Sequence, residues 1–100
     1  MLIARVVGNT VATIKDEKLI GRKLLICCPA DETGKVIGKP YVAIDTLDAG
    51  AGDLVLTAAG SSARQTTITK DRPVDAVIMA IIDTLEVGGA LTFDKSKDEG

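Results

Sequence analysis

The sequence predicts a small all-β protein, a barrel or a sandwich, folded as a single domain of 100 residues. Stretches rich in glycine, proline and aspartate recur at short intervals, which favours many short strands over alternating strands and helices. Hydrophobic residues make up 46% of the chain, yet Tyr41 and Phe93 are its only aromatic residues. The core is therefore expected to consist of valine, isoleucine, leucine and alanine, which pack closely in strands.

The first apolar segment, LIARVVGNTVAT, predicts a strand with a bend in it. Leu2, Ala4 and Val6 share one face of a strand, whereas the next apolar residue falls on the opposite parity. A bulge or bend near Gly8 and Asn9 returns the apolar residues to one inward face, as a strongly curved barrel strand requires.

Three further segments predict strands: KLLICC, YVAID and LVLTAA, the last two on either side of a glycine loop. Cys27 and Cys28 are adjacent in the first of them, so they point to opposite faces of the strand. A disulfide between neighbouring residues would strain the backbone. We therefore expect two free thiols that act as small apolar strand residues in a cytosolic protein.

The segment RPVDAVIMAIIDTLEV, residues 72–87, carries signals for both kinds of secondary structure. Asp71 as a cap, Pro73 in the first turn and Asp75 near the positive end favour a helix. The many valine and isoleucine residues favour a strand. Because the run AVIMAII is apolar all round, its periodicity does not distinguish the two. We predict mainly a strand.

Strands that are apolar on both faces imply that something covers the outside of the barrel, because an exposed barrel strand normally carries polar residues there. Both KLLICC and AVIMAII have this property. In a chain this short the simplest cover is another copy of the same chain. We therefore expect an obligate ring or dimer.

Charge and composition argue against several function classes. The net charge of -2 gives no electrostatic reason to bind nucleic acid or an anionic membrane. The absence of histidine removes the commonest general base and the commonest metal ligand. The first apolar residues lack the charged region of a signal peptide, and AVIMAII is far shorter than the ~20 residues that span a bilayer. We expect no metal, no cofactor, no nucleic acid and no membrane as partners.

Two loops resemble enzyme motifs without meeting their requirements. DAGAGD contains G-x-G, but a strand follows it instead of the helix that a dinucleotide site needs, so it predicts a tight turn. GSSAR, residues 60–64, contains two serines, but the chain offers no histidine, S-x-x-K or G-x-S-x-G to activate them. Small residues let two chains approach closely, the serines suit the cap of a short helical turn, and Arg64 suits a contact between chains. We expect an assembly motif and no enzymatic activity.

Three carboxylates, those of Asp45, Asp75 and Asp83, flank or interrupt apolar runs. Acid–base catalysis would need two of them to converge in a cleft. We expect instead that each accepts hydrogen bonds from a turn, or pairs with Arg64 or Arg72 across a subunit boundary.

The main alternative is a binding module. Barrels of the OB type bind single-stranded nucleic acid with basic grooves and aromatic stacking platforms, whereas this chain has two aromatic residues and a negative net charge. A ligand-carrying or co-chaperonin-like ring is also open, because small β-barrel subunits form such rings as well.

In their order and spacing, the motifs resemble those of the bacterial microcompartment vertex proteins, the CcmL/EutN family of carboxysomes and metabolosomes. The resemblance runs from Met1 to about Phe93 through LIARVVGNTVAT, GRKLLI, DETG, VAIDTLDAGAGDLVL, GSSARQ and RPVDAVIMAIIDTLEV. It implies an OB-like five-stranded β-barrel with a short helical turn, assembling into a cyclic homo-pentamer. It also implies a structural role in the cytoplasm, at the fivefold corners of a polyhedral shell whose facets are hexameric shell proteins.

The resemblance also implies which residues serve assembly. The family's signature loop corresponds here to Gly60, Ser61, Ser62, Ala63 and Arg64. A second signature, which precedes a strand, corresponds to Pro73, Val74 and Asp75. The AID…AG loop corresponds to Asp45 with residues 50–52. In the family the first of these loops lies at subunit contacts near the centre of the ring. The vertex domain is expected to span residues 1–93, and the charged stretch 94–100 is expected to be a mobile tail.

Overall fold

The computed structural model describes residues 1–10, 22–59 and 76–98. In these ranges the chain forms seven strands and one short 3-10 helix. Their bounds are β1 Leu2–Asn9, β2 Lys23–Pro29, β3 Tyr41–Asp45, β4 Leu54–Ala59, β5 Ala76–Ile81, β6 Thr84–Val87, β7 Ala90–Asp94 and the 3-10 helix Lys95–Lys97. No helix within these ranges is long and apolar enough to cross a membrane.

The first five strands close into a barrel in the order β1-β2-β3-β5-β4. Strands β3 and β5 pair in parallel, and every other neighbouring pair in the barrel is antiparallel. This confirms the predicted all-β fold and the five-stranded barrel, and it decides against a sandwich. All five segments predicted as strands contribute a barrel strand.

The barrel interior is filled by small and aliphatic side chains. The buried cluster consists of Ala4, Val6, Leu25, Cys27, Ala43, Ala49, Val55, Ala76 and Ile78. Four alanines in this set leave room for the opposite walls of a narrow five-stranded barrel to approach each other. The composition of the core is therefore as the sequence predicts.

Two bulges bend the strands so that the barrel can close. The pairing of β1 with β2 shifts register between Val6 and Gly8, which leaves Val7 as the extra residue, 48% exposed. This confirms the bend predicted near Gly8. A second shift in the pairing of β4 with β5 leaves Met79 without a direct partner in β4.

The long segment predicted as mainly a strand leaves the barrel after Ile81. The N–H of Ile82 donates to the carbonyl of Leu54, the first residue of β4, at 2.8 Å. Because β4 begins there, it offers β5 no further partner residues beyond this point. The chain continues as β6, which pairs with β7 in a separate two-stranded sheet. The strand prediction is thus confirmed for β5 and β6, but not as one continuous element.

The β6–β7 hairpin covers the outer face of β1 and β4. Phe93 is 5% exposed and belongs to a second buried cluster with Ala30, Leu54 and Ile82. Ile3, Leu56 and Leu85 pack against this cluster. The expectation that AVIMAII needs another chain as its cover is therefore wrong for Ile82, because the chain's own hairpin covers it.

Both cysteines are free and buried, as predicted. Cys27 belongs to the barrel core, whereas Cys28 lies outside that cluster. Burial, with smaller contributions from Cys28 and Asp45, raises the pKa of the Cys27 thiol to about 11. A thiol that stays neutral at physiological pH packs as a small apolar side chain.

The residues after β7 hold specific contacts. Asp94 accepts hydrogen bonds at Oδ1 from the backbone N–H of Ser96, at 3.0 Å, and from its hydroxyl, at 2.6 Å. The N–H of Lys95 donates to the carbonyl of Asp83 at 2.8 Å. Asp98 forms an ion pair with Arg5. That residues 94–100 are mobile stays a prediction, as does the domain boundary at residue 93.

Candidate assembly surface

Most of the predicted assembly residues lie outside the described ranges. They are Gly60, Ser61, Ser62, Ala63, Arg64, Pro73, Val74 and Asp75. The structure does show where the segment that carries them joins the barrel. Ala59 and Ala76 pair with each other across β4 and β5, and Ala76 lies beside Ala43 of β3. The described chain therefore stops at Ala59 and resumes at Ala76 at one end of the barrel, which we call the loop end.

Asp45 is the last residue of β3 and lies two residues beyond Ala43, which pairs with Ala76. From Ala43, β3 runs parallel to β5 and away from Ala76, and it ends at Asp45 opposite Lys23. We call its position the Asp45 end.

The Asp45 carboxylate is held inside this end. Its side chain is fully buried, and Oδ1 accepts a hydrogen bond from the N–H of Leu47 at 2.9 Å. Its Oδ2 lies 3.5 Å from Nζ of Lys23 and has no hydrogen-bond partner among the described residues. The cation that the described residues bring to Asp45 is thus Lys23; the predicted partners Arg64 and Arg72 lie outside them.

Lys23 joins Asp45 to the loop that follows β3. Its ammonium group donates to Oδ1 of Asp48 and to the carbonyl of Ala49, both at 2.9 Å. The hydrogen bond with Asp48 is the largest of the effects that raise the pKa of Lys23. Together these contacts hold the loop of residues 46–53 against the Asp45 end of the barrel.

The DAGAGD loop is a tight turn between strands, as predicted. The N–H of Gly50 donates to Oδ2 of Asp53 at 2.9 Å, and the N–H of Asp53 donates to the carbonyl of Gly50 at 3.0 Å. The N–H of Gly52 donates to the carbonyl of Val6 on β1 at 2.8 Å. Because β4 begins at Leu54, this loop opens onto a strand and does not form a dinucleotide-binding turn.

A cavity lies at the Asp45 end of the barrel. The cavity has a volume of about 390 Å³. Its described lining consists of Gly8, Asn9, Thr10, Arg22, Lys23, Leu24, Leu25, Ala49, Gly50 and Ala51. This part of the lining holds two cations but no carboxylate, thiol or serine. It therefore offers no pair of groups for general acid–base chemistry.

Arg5 organises the polar contacts on the outer face of β1, and sequence reasoning missed it. The side chain is buried, and its Nε and Nη2 donate to the carbonyl of Gly34 at 3.1 and 2.6 Å. Its Nη1 donates to the carbonyl of Gly52 at 2.9 Å and to Oδ2 of Asp98 at 2.6 Å. Its guanidinium carbon lies 5.5 Å from the centroid of the Phe93 ring. Arg5 thus joins two loops and the end of the chain to the barrel wall.

The DETG motif forms the turn that presents the Gly34 carbonyl to Arg5. Oδ1 of Asp31 accepts hydrogen bonds from the N–H and hydroxyl of Thr33 and from the N–H of Lys35, at 2.6–3.0 Å. The bond from the Thr33 hydroxyl is the largest of the effects that lower the pKa of Asp31. The only sign of this arrangement in the sequence is a turn motif. The long-range contact with Arg5 leaves no local pattern.

Comparison with known proteins agrees with this architecture. Residues 1–83 match the family model described as ethanolamine utilisation protein EutN/carboxysome. The chain is 45% identical over 100 residues to the carboxysome shell vertex protein CcmL of Nostoc sp., with 99% of this chain and 98% of that protein covered.

Two solved structures have a fold similar to that of this chain. The structure of Gloeobacter violaceus CcmL has a TM-score of 0.84 at 38% identity and covers 97% of this chain and all of that one. The GrpN pentameric microcompartment shell protein from Rhodospirillum rubrum has a TM-score of 0.74 at 38% identity, with 87% of this chain and 99% of that one covered.

Proposed function

The chain belongs to the EutN/CcmL family, and we propose that it is a structural subunit whose pentamers form the vertices of a bacterial microcompartment shell. The observation that carries this proposal is the match over nearly the whole chain to shell vertex proteins, one of which has a pentameric structure. A flat sheet of hexagonal tiles closes into a polyhedron only where fivefold units introduce curvature. A pentamer at the corners supplies that unit.

A structural role without catalysis fits the chemistry of the described residues. The donor groups of Arg5 are directed at carbonyls and a carboxylate of the same chain, so they are not free to hold a substrate. The thiol of Cys27 is buried and protonated at neutral pH, which removes its nucleophilicity. The carboxylate of Asp45 is fully buried, with Oδ2 3.5 Å from Nζ of Lys23.

The alternative of a nucleic-acid-binding module has little support in the barrel surface. Tyr41 packs against the barrel core and its hydroxyl lies 2.7 Å from that of Thr57. Phe93 is 5% exposed beneath the hairpin. These are the only aromatic residues in the chain, and Tyr41 is only partly exposed, so the surface has no series of rings on which successive bases could stack.

We assign residues 60–64 and 73–75 to contacts between subunits of the pentamer. Their support is the match to the family's signatures and the attachment of this segment at a single end of the barrel. Five such segments, one from each subunit, would meet if the loop ends faced the ring axis. For Asp45, the bonds to Leu47 and Lys23 favour the role of a loop anchor over a direct subunit contact.

The partners that complete this role are hexameric shell proteins, which we place around the rim of the pentamer in the shell. The test is to produce such hexameric proteins with and without this chain and to examine the particles by electron microscopy. With the chain we expect closed polyhedra, and without it open sheets, tubes or particles with vacant corners. Equal numbers of fully closed polyhedra in both preparations would contradict a vertex role.

A further inference from the structure

One part of the barrel wall is apolar and open to solvent. We call it the β2–β3 face and define it as Val7, Gly8, Leu24, Ile26 and Val42. Ile26 lies directly between Gly8 on β1 and Val42 on β3. Val7 is 48% and Val42 is 40% exposed, and Leu24 and Ile26 are partly exposed. A Cβ added to Gly8 would meet no heavy atom within 4 Å, so the surface is open above this residue as well.

The absence of polar side chains from this row is unusual for a barrel wall. Outward residues of a solvated antiparallel strand are normally polar, because the inward residues already supply the core. Here the outward residues of β2 and β3 are aliphatic as well. On β1 and β4 the outer residues Ile3, Leu54 and Leu56 are also aliphatic, but there the hairpin covers them with Phe93 and Leu85. The hairpin therefore covers this wall, whereas among the described residues the β2–β3 face stays exposed.

We propose that the β2–β3 face is one half of the contact between neighbouring subunits, and that its occupant is a second copy of this chain. This inference rests on the proposed pentamer. In a cyclic ring each subunit offers two different surfaces, one to each neighbour, and neighbours stand wall to wall. A continuous aliphatic centre without charged side chains is characteristic of permanent subunit contacts. It offers no cation to phosphate groups, so nucleic acid is a poor occupant.

Thiol labelling tests the occupancy of this face directly. Val42→Cys introduces a small side chain on this face beside Ile26, and Leu91→Cys introduces one on the hairpin, where Leu91 is 56% exposed. The native Cys27 and Cys28 are buried, so their background labelling by a maleimide is expected to be slow. In the assembled ring, we expect the thiol of Val42→Cys to react at least about tenfold more slowly than that of Leu91→Cys, and at a similar rate in denaturant.

The outcomes separate this inference from the proposed function. Native mass spectrometry of the same samples reports whether the ring is present. If rings are present and Val42→Cys reacts as fast as Leu91→Cys, the face is open and this inference is overturned while the pentamer stands. If the unmodified chain forms no ring, the proposed function fails instead.

A charge at the same position provides a second measurement. Val42→Lys buries an ammonium group in an apolar contact, so at micromolar concentration we expect the ring fraction to fall at least about tenfold. Leu91→Lys is the matched control and should leave the ring fraction unchanged. Circular dichroism checks that both variants keep the barrel. A folded Val42→Lys chain that forms rings as well as Leu91→Lys would contradict the inference.

Discussion

At the scale of single residues, Gly34 is constrained both by its backbone conformation and by the lack of space for a side chain. Its φ is +89°, in the region that favours glycine, and its carbonyl accepts two hydrogen bonds from Arg5. A Cβ on this residue would lie 2.5 Å from Nη2 of Arg5 and 3.0 Å from Cδ1 of Phe93. Any side chain here would push against the contacts that join the DETG turn to the barrel.

Three glycine-to-alanine variants separate these two effects. Gly34→Ala combines strain with crowding, and we expect it to lower the free energy of unfolding by about 2–4 kcal/mol. Gly88 has a φ of +60° but open space around it, so Gly88→Ala should cost about 1 kcal/mol. Gly50→Ala has neither problem and should change stability by less than about 1 kcal/mol. Urea unfolding at one protomer concentration measures all three. If Gly34→Ala costs no more than Gly88→Ala, the crowding against Arg5 is unimportant.

The buried thiol of Cys27 makes stability depend on pH in the alkaline range. Its pKa rises from 9.0 to about 11 on folding, so between these values the folded chain retains a proton that the unfolded chain has released. The free energy of unfolding therefore falls as the pH rises through this window, by at most about 3 kcal/mol.

Comparison with Cys27→Val isolates this contribution, because other groups titrate in both proteins. The difference in unfolding free energy between the two should be constant below about pH 8 and should shift against the unmodified protein above about pH 9. Chemical denaturation at a series of pH values measures it. Parallel curves up to about pH 11 would show that Cys27 does not titrate as described.

At the scale of elements, the β6–β7 hairpin is the cover of one barrel wall. Phe93→Ala removes the side chain at the centre of that contact, and we expect a loss of about 3–5 kcal/mol in the free energy of unfolding. Leu91→Ala on the same strand removes an exposed side chain and should cost less than about 0.5 kcal/mol. Thermal or urea unfolding of the pair measures the difference. A small loss from both variants would mean that the hairpin packs only loosely on the barrel.

The elements also show how far the sequence predicts this fold. Alternation and turn residues identify all five barrel strands and the bend near Gly8, because those signals are local. The hairpin was missed, although Gly88 and Gly89 between TLEV and ALTF are a usual hairpin signal, because the apolar run before them resembles one long strand. Where that run must leave the barrel depends on the start of β4, which is distant in sequence.

The candidate site was less predictable than the fold for a related reason. Arg5 bonds to residues 29, 47 and 93 positions away, and no pattern around Arg5 signals these contacts. Asp45 was assigned to assembly through the AID…AG motif; the structure places it at the end of β3 opposite Lys23, and its role in assembly stays a prediction. The sequence predicts an apolar exterior but does not show which part of it the hairpin covers, because that depends on how the strands pair. The part that the hairpin does not reach is the outer side of β2.

At the scale of the whole molecule, the barrel has three regions with different tasks. The hairpin and the Arg5 contacts stabilise one wall within the chain. The β2–β3 face is the open wall, and the loop end carries the segment that matches the family's signature. A subunit with its own cover on one side and open apolar residues on another suits a ring in which each copy completes the next.

Native mass spectrometry of the unmodified chain at several concentrations tests the central claim, that the functional unit is a ring of five copies. We expect a five-chain species that persists on dilution to low micromolar concentration, and a smaller share of it for Arg64→Ala. A monomer at every concentration would contradict both the vertex role and the covering of the β2–β3 face by a second copy.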